Sequence, residues 1–498
     1  MVEKLANRNY QLSLSVILEL LGIQAENLDG IINNLVIDSR NIQEGDLFIA
    51  YPGNALDGRD FIGQAQAAGA IAVLYEDSDF EMPKDIRIPA FGITGLQMQV
   101  GYLAHHFYQK PSTQLQVFGV TGTNGKTTCA YLLSQAFDAL DLKSAFIGTI
   151  GSGQLGALDN SQHTTPDSVS VHRMLAEYRD QGVTQVCMEV SSHALDQGRV
   201  NGVEFFCTLF TNLSHEHLDY HGDMAAYASA KKRLFSQHHS ELMITNADDE
   251  LGIQLLDIAS AEFMVSYGIN ENSQGNVRAD EVMLKHNGID LYVEANGVDF
   301  ALQTPLIGKV NVPNIMLLVA TLLALSINVE DIQRIVANLQ SAPGRMELHT
   351  QDNKPRVVID YAHTPDALKK ALLSVREHCR GSLWCVFGCG GDRDHSKRSL
   401  MGAVADNNSD YLVVTNDNPR SESAQTIVDE ILIGVDGAAE VELDRGLAIR
   451  NAIAKANSDD WVLIAGKGHE TSQEIDGVKH PFSDREHVIC ALQERGVA

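Results

Sequence analysis

A glycine-rich segment, Thr121-Gly-Thr-Asn-Gly-Lys-Thr-Thr128, has the residue types that bind a nucleotide phosphate. It follows the apolar, β-prone residues 115–120 and precedes a run with an apolar face at helical spacing. A strand, a glycine turn and a helix in this order direct backbone N–H groups and a helix N-terminus at one point, which suits an anion. Lys126 would neutralise phosphate charge, and the Thr127 hydroxyl would ligate magnesium. The loop is a variant, since Val120 stands where the strict P-loop has its first glycine, and an ordinary glycine-rich turn is the alternative.

Acidic and histidine side chains lie at the ends of two further strand-like runs. Glu189 is inside the apolar run 185–190, where a carboxylate is costly unless it is paired or bound to a metal. The run 205–213 is followed by a cluster of histidines and acids that includes His217. Open α/β sheets bind ligands at such strand ends, so we predict that Thr127, Glu189 and His217 arrange Mg²⁺ around the phosphates. A zinc site is the alternative, but no cysteine accompanies these histidines and their spacing is not His-Glu-x-x-His.

The length and composition of the chain narrow the classes of protein that fit. Its 498 residues indicate about three domains. The formal charge of -28 disfavours non-specific nucleic-acid binding, so particular arginines and lysines must make a local site for an anionic nucleotide. No apolar run is long enough to cross a membrane, and the N-terminal residues lack an apolar signal core. Seven cysteines without a Cys-x-x-Cys pair favour a reducing, cytoplasmic location.

The order of strand-like and helical patterns predicts an α/β fold with three domains. Residues 1–109 predict a small N-terminal α/β domain, with short strands at 35–40 and 45–50. Residues 110–342 alternate strand and helix, which predicts a central P-loop ATPase-like parallel sheet covered on both faces. Residues 343–498 predict a Rossmann-like C-terminal domain, whose strand-like runs are 357–360, 383–391, 411–417 and 461–466.

Two local patterns in the C-terminal part refine this prediction. Thr364-Pro-Asp366 is a helix start, with threonine as the cap and proline in the first turn. Leu368, Ala371, Leu372 and Val375 then mark the buried face of that helix. Gly388-Cys-Gly-Gly-Asp-Arg393 does not complete the Gly-x-Gly-x-x-Gly pattern, which argues against a dinucleotide cofactor.

Together these motifs closely resemble those of the Mur ligases, which add amino acids to the peptidoglycan precursor, and the resemblance covers essentially the whole chain. Residues 121–128 match the ATP loop of the family. Its central-domain signatures are matched by Glu189-Val-Ser-Ser-His193, Thr211-Asn-Leu-Ser214 and His217-Leu-Asp-Tyr-His221. Further nucleotide elements are matched by Gly308-Lys-Val-Asn-Val-Pro-Asn314, Gly344-Arg-Met-Glu347 and Asp360-Tyr-Ala-His-Thr-Pro365. The branch of the family that adds meso-diaminopimelate has motifs similar to two segments of this chain, Asp417-Asn-Pro-Arg420 and Gly466-Lys-Gly-His-Glu470.

The resemblance implies four groups of site residues. ATP would be bound by Gly122, Thr123, Asn124, Gly125, Lys126, Thr127, Thr128, Asn311, Arg345 and Asp360. The UDP-N-acetylmuramoyl dipeptide would be bound by Ile37, Ser39, Asn54, Ala55, Leu56, His163, Thr164, Thr165, Ser191, Gln197 and Arg199, although asparagine is common in the family where His163 stands. Meso-diaminopimelate would be bound by Arg393, Asp417, Asn418, Pro419, Arg420, Gly466 and Glu470. The catalytic group would be Lys126, Glu189, His217 and Lys231, of which Lys231 would carry a carbamate.

The reaction that the resemblance implies is ATP-dependent amide-bond formation. ATP phosphorylates the γ-carboxylate of the D-glutamate, the diaminopimelate amine attacks the acyl phosphate, and ADP and phosphate are released. Little covalent chemistry falls to the protein, so positioning and charge neutralisation carry the rate. The resemblance further implies Mg²⁺ as cofactor, ATP as co-substrate and a monomeric enzyme without a nucleic-acid partner.

Three alternatives remain open from the sequence. An L-lysine-adding ligase of the same family would differ at the far end of its amino acid, where Arg420 is expected to pair with the second carboxylate of diaminopimelate. In that case Asp417-Asn-Pro-Arg420 would be only a type I turn. A folylpolyglutamate-synthase-like ligase shares the glycine loop but should lack this motif. A non-catalytic nucleotide switch needs the loop but neither Glu189 nor His217.

Overall fold

The computed structural model describes residues 10–24, 30–54, 56–161 and 163–494. The chain divides into two compact units, Met1–Val265 and Ser266–Ala498. The strands of the first unit are β1 (Leu12–Ser13), β2 (Ile31–Ile32), β3 (Leu35–Val36), β4 (Leu47–Ala50), β5 (Ala72–Glu76), β6 (Ala90–Ile93), β7 (Gln116–Thr121), β8 (Ser144–Gly148), β9 (Gly151–Gly153), β10 (Gln185–Glu189), β11 (Cys207–Phe210), β12 (Ser240–Asn246) and β13 (Ala261–Gly268), which crosses the boundary. Its helices are α1 (Leu14–Leu20), α2 (Ile62–Ala67), α3 (Leu96–Phe107), α4 (Lys126–Ala139), α5 (Ser168–Asp180), α6 (Ser192–Asp196), α7 (Leu218–His221), α8 (Met224–Ser236) and α9 (Glu250–Ile258).

The second unit continues this numbering. Its strands are β14 (Val277–Lys285), β15 (Gly288–Ala295), β16 (Val298–Thr304), β17 (Glu347–His349), β18 (Arg356–Asp360), β19 (Leu383–Phe387), β20 (Tyr411–Val414), β21 (Ala439–Val441), β22 (Trp461–Ala465), β23 (Ser472–Ile475) and β24 (Val478–Pro481). Its helices are α10 (Val312–Ala324), α11 (Val329–Val336), α12 (Pro365–Arg376), α13 (Ser396–Asn408), α14 (Ala424–Leu432), α15 (Arg445–Lys455) and α16 (Asp484–Glu494).

The small N-terminal sheet has the strand order β3-β4-β5-β6, and all its pairs are parallel. The strand predicted at 35–40 is shorter than expected and ends at Val36. Its end has a local cause, because the Asp38 carboxylate accepts a hydrogen bond from the Arg40 N–H and caps a 3₁₀ turn at Ser39–Asn41. Such side-chain bonds to nearby backbone compete with strand pairing.

The central sheet confirms the predicted parallel arrangement. Its core strands follow the order β12-β11-β7-β10-β8, and the pairs within that order are parallel. Every residue of β10 and β11 is buried, as expected for a sheet covered on both faces. The strand predicted at 205–213 is limited to Cys207–Phe210, so that residues 211–214 form a loop at its carboxyl end.

The second unit begins with an antiparallel meander of β14, β15 and β16 that the strand and helix alternation did not reveal. A local signal for it exists in the sequence. Asn296 and Gly297 join β15 to β16 with φ angles of 52° and 78°, and Asn-Gly is the typical two-residue hairpin turn.

The C-terminal sheet has the order β17-β18-β22-β19-β20-β21, in which only β17 is antiparallel to its neighbour. Helix α12 begins as predicted, because the Thr364 side chain accepts a hydrogen bond from the Ala367 N–H. Its four predicted core residues are all buried. Both tryptophans of the chain lie in this sheet, Trp461 in β22 and Trp384 in β19, stacked on Tyr411. The α/β fold class, with an N-terminal, a central and a C-terminal sheet, is confirmed.

Candidate active site

The glycine loop between β7 and α4 is tightly tied to its surroundings. Gly122 has a φ of +150°, and a Cβ at this position would lie 1.9 Å from the Thr211 hydroxyl oxygen. Only glycine fits so close a contact. The Lys126 ammonium donates to the carbonyl oxygens of Gly122 (2.8 Å) and Thr123 (2.7 Å), so that its charge lies over the loop. The loop backbone, the start of α4 and this cation lie together, an arrangement that is compatible with the predicted phosphate-binding loop.

Glu189 is buried at the end of β10, beside the start of α4. Its carboxylate accepts hydrogen bonds from the Thr127 hydroxyl (2.9 Å), from the Thr149 N–H (2.7 Å) and from the Thr149 hydroxyl (3.2 Å). The Thr149 hydroxyl also lies 3.0 Å from that of Thr164. This set of oxygen donors suits a hard cation such as Mg²⁺. Among the residues that the structure describes, no group of three or more histidine, cysteine and acidic side chains could hold a metal ion, so a zinc-like cluster is not formed.

Tyr227 on α8 connects the remaining predicted catalytic residues to the glycine loop. Its hydroxyl is 3.2 Å from the hydroxyl of Thr123, and its ring lies 6.1 Å from the His217 ring. The Lys231 ammonium lies 4.3 Å from the centre of the same ring and donates to the Gly122 carbonyl oxygen at 2.8 Å. Burial, and then the charge of Lys126, hold the pKa of Lys231 well below its ordinary value. The structure therefore brings the buried Lys231 side chain into contact with the glycine loop.

Several residues predicted to bind the muramoyl dipeptide lie directly beside Glu189. The Thr165 hydroxyl donates to the Glu189 carbonyl oxygen at 2.8 Å and accepts from the Ser191 N–H at 3.1 Å. The Arg199 guanidinium donates to Gln197 Oε1 at 2.7 and 3.0 Å and to the Thr165 carbonyl oxygen at 2.9 Å. These hydrogen bonds therefore form one connected polar network that extends from Glu189, a predicted magnesium ligand, to Arg199.

The residues predicted to bind UDP lie on separate loops of the N-terminal part. Ser39 is buried and donates to Gln64, whereas Asn54 and Leu56 are exposed. Of the other predicted UDP contacts, Ile37 is half-buried and Ala55 lies outside the described residues. His163, which was predicted to bind the muramoyl dipeptide, is exposed.

A cavity of about 300 Å³ opens at the carboxyl ends of β19, β20 and β22 in the second unit. Six of the seven residues predicted to bind diaminopimelate line it, namely Arg393, Asp417, Asn418, Arg420, Gly466 and Glu470. Pro419 does not line it, but its carbonyl oxygen packs so closely on Gly391 that a Cβ there would lie 1.9 Å away. The sequence did not single out the lining residues Tyr361, His363, Gly388, Cys389, Gly390 and Lys397 as ligand contacts.

The cavity carries both signs of charge. The Lys467 ammonium lies 2.7 Å from the Glu470 carboxylate, and the Asn418 amide donates to the same carboxylate at 2.8 Å. Burial raises the pKa of Asp417, and the charges of Arg445 and Lys467 oppose this rise. Arg420 has a left-handed backbone, with φ at 53°, and its guanidinium donates to the Gly391 carbonyl oxygen at 2.7 Å. Such a surface fits a zwitterionic ligand with carboxylates and amines.

The ATP-binding residues predicted in the second unit are partly grouped. Asp360 accepts from the N–H groups of Met346 (2.8 Å) and Ala362 (2.9 Å). Burial raises the pKa of Asp360, and Arg345 opposes this rise. The Arg345 guanidinium lies 4.8 Å from the centre of the Tyr361 ring, which lines the cavity. Asn311 is buried and donates to the Ile307 carbonyl oxygen at 2.7 Å.

Sequence reasoning missed three residues that build the site. Gly148 is the last residue of β8 and Thr149 follows it, and a Cβ at Gly148 would lie 2.2 Å from a Glu189 carboxylate oxygen. A Gly-Thr pair at the carboxyl end of a buried parallel strand was the available signal. Tyr227 offered no comparable signal, because its contacts depend on how α8 packs against the glycine loop.

Family descriptions match three segments of the chain. They are the Mur ligase family catalytic domain at residues 31–98, the Mur ligase middle domain at 120–322 and the Mur ligase glutamate ligase domain at 344–468. In the part of the chain that the structure describes, no helix is both long and apolar enough to cross a membrane.

Similar proteins cover nearly all of the chain. A protein of Chromobacterium violaceum named UDP-N-acetylmuramoyl-L-alanyl-D-glutamate–2,6-diaminopimelate ligase is 46% identical over 460 residues, which span 91% of this chain and 92% of that protein. A protein of Coxiella burnetii with the same name is 43% identical over 93% of this chain and 96% of its own length. A solved structure of a ligase with this name has a TM-score of 0.71 at 32% identity and covers 97% of this chain and 99% of its own.

A solved folylpolyglutamate synthase of Mycobacterium tuberculosis shares the fold alone, with a TM-score of 0.59 at 17% identity, and covers 74% of this chain and 92% of its own. The two proteins named as diaminopimelate ligases, from Chromobacterium violaceum and Coxiella burnetii, match a larger part of the chain at higher identity. Together with the three family segments, they decide the family to which the chain belongs. The chain belongs to the Mur ligase family.

Proposed function

We propose that this protein is the ligase that adds meso-diaminopimelate to the D-glutamate of UDP-N-acetylmuramoyl-L-alanyl-D-glutamate, with ATP as co-substrate, in the synthesis of the peptidoglycan precursor. The observation that carries the proposal is the charged cavity, in which Arg393 and Arg420 lie with Asp417 and Glu470. Diaminopimelate has a carboxylate and an amine at each end, so it matches a site with cations and anions. The names of the relatives at 43% and 46% identity support the same substrates.

In the first step, the γ-carboxylate of the D-glutamate attacks the γ-phosphorus of ATP, the bond from this phosphorus to the bridging oxygen of ADP breaks, and an acyl phosphate and ADP result. The glycine loop and Lys126 would hold the phosphates and offset their charge. Thr127 and Glu189, with His217 at the edge of the cluster, would hold Mg²⁺. The bound ion neutralises charge on the phosphoryl oxygens.

In the second step, the neutral amine of diaminopimelate attacks the acyl carbon, phosphate leaves and the nitrogen loses a proton. The protein must keep the carboxylate acceptor and the amine in fixed positions, which is where most of the rate arises. Thr165, Ser191 and Arg199 would position the dipeptide beside Glu189. The cavity of the second unit would select the amino acid.

The proposal includes a carbamate on Lys231. The nitrogen of the deprotonated lysine attacks the carbon of CO₂, and the released proton goes to solvent, so the neutral amine becomes an anionic carbamate. Burial and the charge of Lys126 lower the pKa of Lys231, which favours the deprotonated amine, and this amine lies against Gly122 of the glycine loop. A carbamate would replace the like charge of a protonated Lys231 beside Lys126 with a negative group near the predicted magnesium ligands.

The proposal also includes the organisation of the chain. We propose domain boundaries at 1–109 for UDP binding, 110–342 for ATP binding and 343–498 for the amino acid. The matched family segments at 31–98, 120–322 and 344–468 support this division. We propose that the enzyme acts in the cytoplasm, where ATP and nucleotide-linked precursors occur. We also propose that it is a monomer, and its mass in solution by analytical ultracentrifugation tests this.

The deciding experiment is release of ADP by the purified protein with the UDP-muramoyl dipeptide and each of a series of amino acids. We expect ADP release with meso-diaminopimelate and little with L-lysine, which lacks the second carboxylate. A buried polar group left unpaired by the wrong substrate can support discrimination of about 10⁴-fold. Arg420→Ala should lose this preference. Equal use of lysine by the wild type would favour the L-lysine-adding alternative, and glutamate addition to a folate would favour the folylpolyglutamate-synthase-like one.

A further inference from the structure

Arg398, in the first turn of α13, is fully buried although it carries a charge. Its guanidinium forms a two-pronged pair with Glu422, at 2.8 and 2.9 Å. It also donates to the Glu430 carboxylate at 2.8 Å and to the Gly390 carbonyl oxygen at 3.1 Å. Its two terminal nitrogens thus have several acceptors, which offsets much of the cost of burying the charge, although its buried Nε has no hydrogen-bond partner among the described residues.

The partners of Arg398 belong to the two loops that form the walls of the cavity. Gly390 lies in the loop that ends in Arg393, and Glu422 closes the loop that carries Arg420. Glu422 also accepts the N–H of Asp392 at 2.5 Å, so a single carboxylate joins both loops to the guanidinium. Because the two-pronged geometry is rigid, this pair fixes the distance between the loops.

The Arg398 pair also engages two glutamates next to the loop of Arg420, whose Nε lies 3.5 Å from a different carboxylate, that of Glu474. Glu422 follows Arg420 by two residues in the chain, and its hydrogen bonds with Arg398 lower its pKa to about 2. Without Arg398, the Glu422 and Glu430 carboxylates would lose their buried cation. They would then compete with a substrate carboxylate for Arg420 and Arg393.

We propose that Arg398 is a positioning residue that sets the preference of this cavity for an amino acid with a second carboxylate. It holds the loops of Arg393 and Arg420 at a fixed separation and occupies the glutamates that would otherwise pair with them. The inference rests on the proposed function and extends it to a residue that does not touch the substrate.

The test measures steady-state kinetics of ADP release for wild type, Arg398→Gln and Glu422→Gln with each substrate varied in turn. We expect the KM for meso-diaminopimelate to rise by about 10²-fold in Arg398→Gln, because displacement of a positioned group by about 1 Å has effects of this size. The KM values for ATP and for the UDP-muramoyl dipeptide should stay at the wild-type level. The preference for meso-diaminopimelate over L-lysine should fall in both variants, and the double variant should be no worse than Arg398→Gln alone.

Arg376→Gln is the matched control, because Arg376 forms an ion pair with Asp410 at 2.6 Å in the same unit and does not line the cavity. It should change neither the KM for meso-diaminopimelate nor the preference. If Arg398→Gln does not fold, as judged by circular dichroism, Glu422→Gln decides the question. A folded variant that keeps the wild-type preference, or that loses affinity for all substrates alike, overturns the inference while the proposed function stands. A wild type that releases no ADP with meso-diaminopimelate overturns both.

Discussion

At the scale of single residues, Glu189 has the most constrained position in the site. It is buried at a strand end, and its carboxylate accepts hydrogen bonds from two neighbouring threonines. Replacement of Glu189 by glutamine, which has nearly the same volume, would therefore remove the negative charge without leaving a cavity. An effect on activity can then be separated from an effect on packing.

We predict that Glu189→Gln lowers kcat by about 10²-fold or more, since one charged group at a phosphoryl-transfer site contributes on this scale. The fold should persist, because the amide fills the same volume. Kinetics of ADP release and circular dichroism measure the two effects. Glu177→Gln, at an exposed position of α5 beside Arg173, is the control and should keep the wild-type kcat. Near-normal kcat in Glu189→Gln would reject the magnesium assignment.

We predict that Lys231 in the active enzyme carries one molecule of CO₂ as a carbamate. Enzyme equilibrated with ¹³C-labelled bicarbonate should show a carbamate carbon resonance, which Lys231→Arg abolishes together with activity, because the guanidinium is not a nucleophile at neutral pH. Lys232→Arg is the control, since Lys232 is half-buried and bonds to Gln254 instead of the phosphate loop. A free amine in fully active enzyme would contradict this prediction.

At the scale of elements, the ends of the parallel strands place the reacting groups. Strand β8 ends at Gly148, where the absence of a side chain leaves room for the Glu189 carboxylate of the adjacent β10. The separation of the two strands therefore sets the position of the carboxylate, and a single methyl group at Gly148 should change it.

We predict that Gly148→Ala lowers kcat strongly while the secondary structure persists, because its Cβ would lie 2.2 Å from a Glu189 oxygen and would push the carboxylate away from Thr127. Gly63→Ala on α2 has no atom within 4 Å of the new Cβ and should leave kcat unchanged. A crystal structure of Gly148→Ala would show the displaced carboxylate. Wild-type kcat in this variant would mean that the position of Glu189 is not critical.

Elements of this kind could largely be predicted from the sequence where the signal lies in neighbouring residues. The glycine loop, the helix start at Thr364 and the acidic end of β10 follow from neighbouring residues. The contact between Lys231 and Gly122 joins residues 109 positions apart, and no local pattern encodes it. For the same reason the sequence did not reveal the pair between Arg398 and Glu422, which depends on the packing of α13 against the loop before α14.

At the scale of the whole molecule, acid stability depends in part on two buried histidines of the first unit. His105 on α3 and His172 on α5 have ring centres 5.4 Å apart. Burial lowers the pKa of His105 to about 4 and that of His172 to about 3. In the unfolded chain both rings titrate near a pKa of about 6.5.

We predict that the free energy of unfolding falls as the pH is lowered from about 7 to about 4, because the unfolded state binds more protons than the folded state in this range. At pH values below the folded-state pKa values, the stability that the two neutral histidines contribute at neutral pH is fully lost. Urea unfolding at each pH gives the free energy of unfolding, and the slope of this energy against pH gives the number of protons taken up on unfolding. This number should be smaller by about one in His172→Asn than in wild type. His239→Asn, at an exposed position, is the control. An unchanged slope in His172→Asn would show that His172 titrates alike in both states.

The placement of the tryptophans has a consequence for how unfolding is observed. Trp384 and Trp461 both lie in the C-terminal sheet, so tryptophan fluorescence, excited where tyrosine does not absorb, reports on the second unit alone, whereas far-ultraviolet circular dichroism reports on helices and strands of the entire chain. Coincident transitions by the two probes would mean that both units unfold together, and separate transitions would mean that they unfold in stages. Trp384 and Trp461 stand at the beginnings of β19 and β22, whereas the cavity lies at the carboxyl ends of these strands, so their fluorescence should report on the packing of the C-terminal sheet and not on direct contact with a ligand of the cavity.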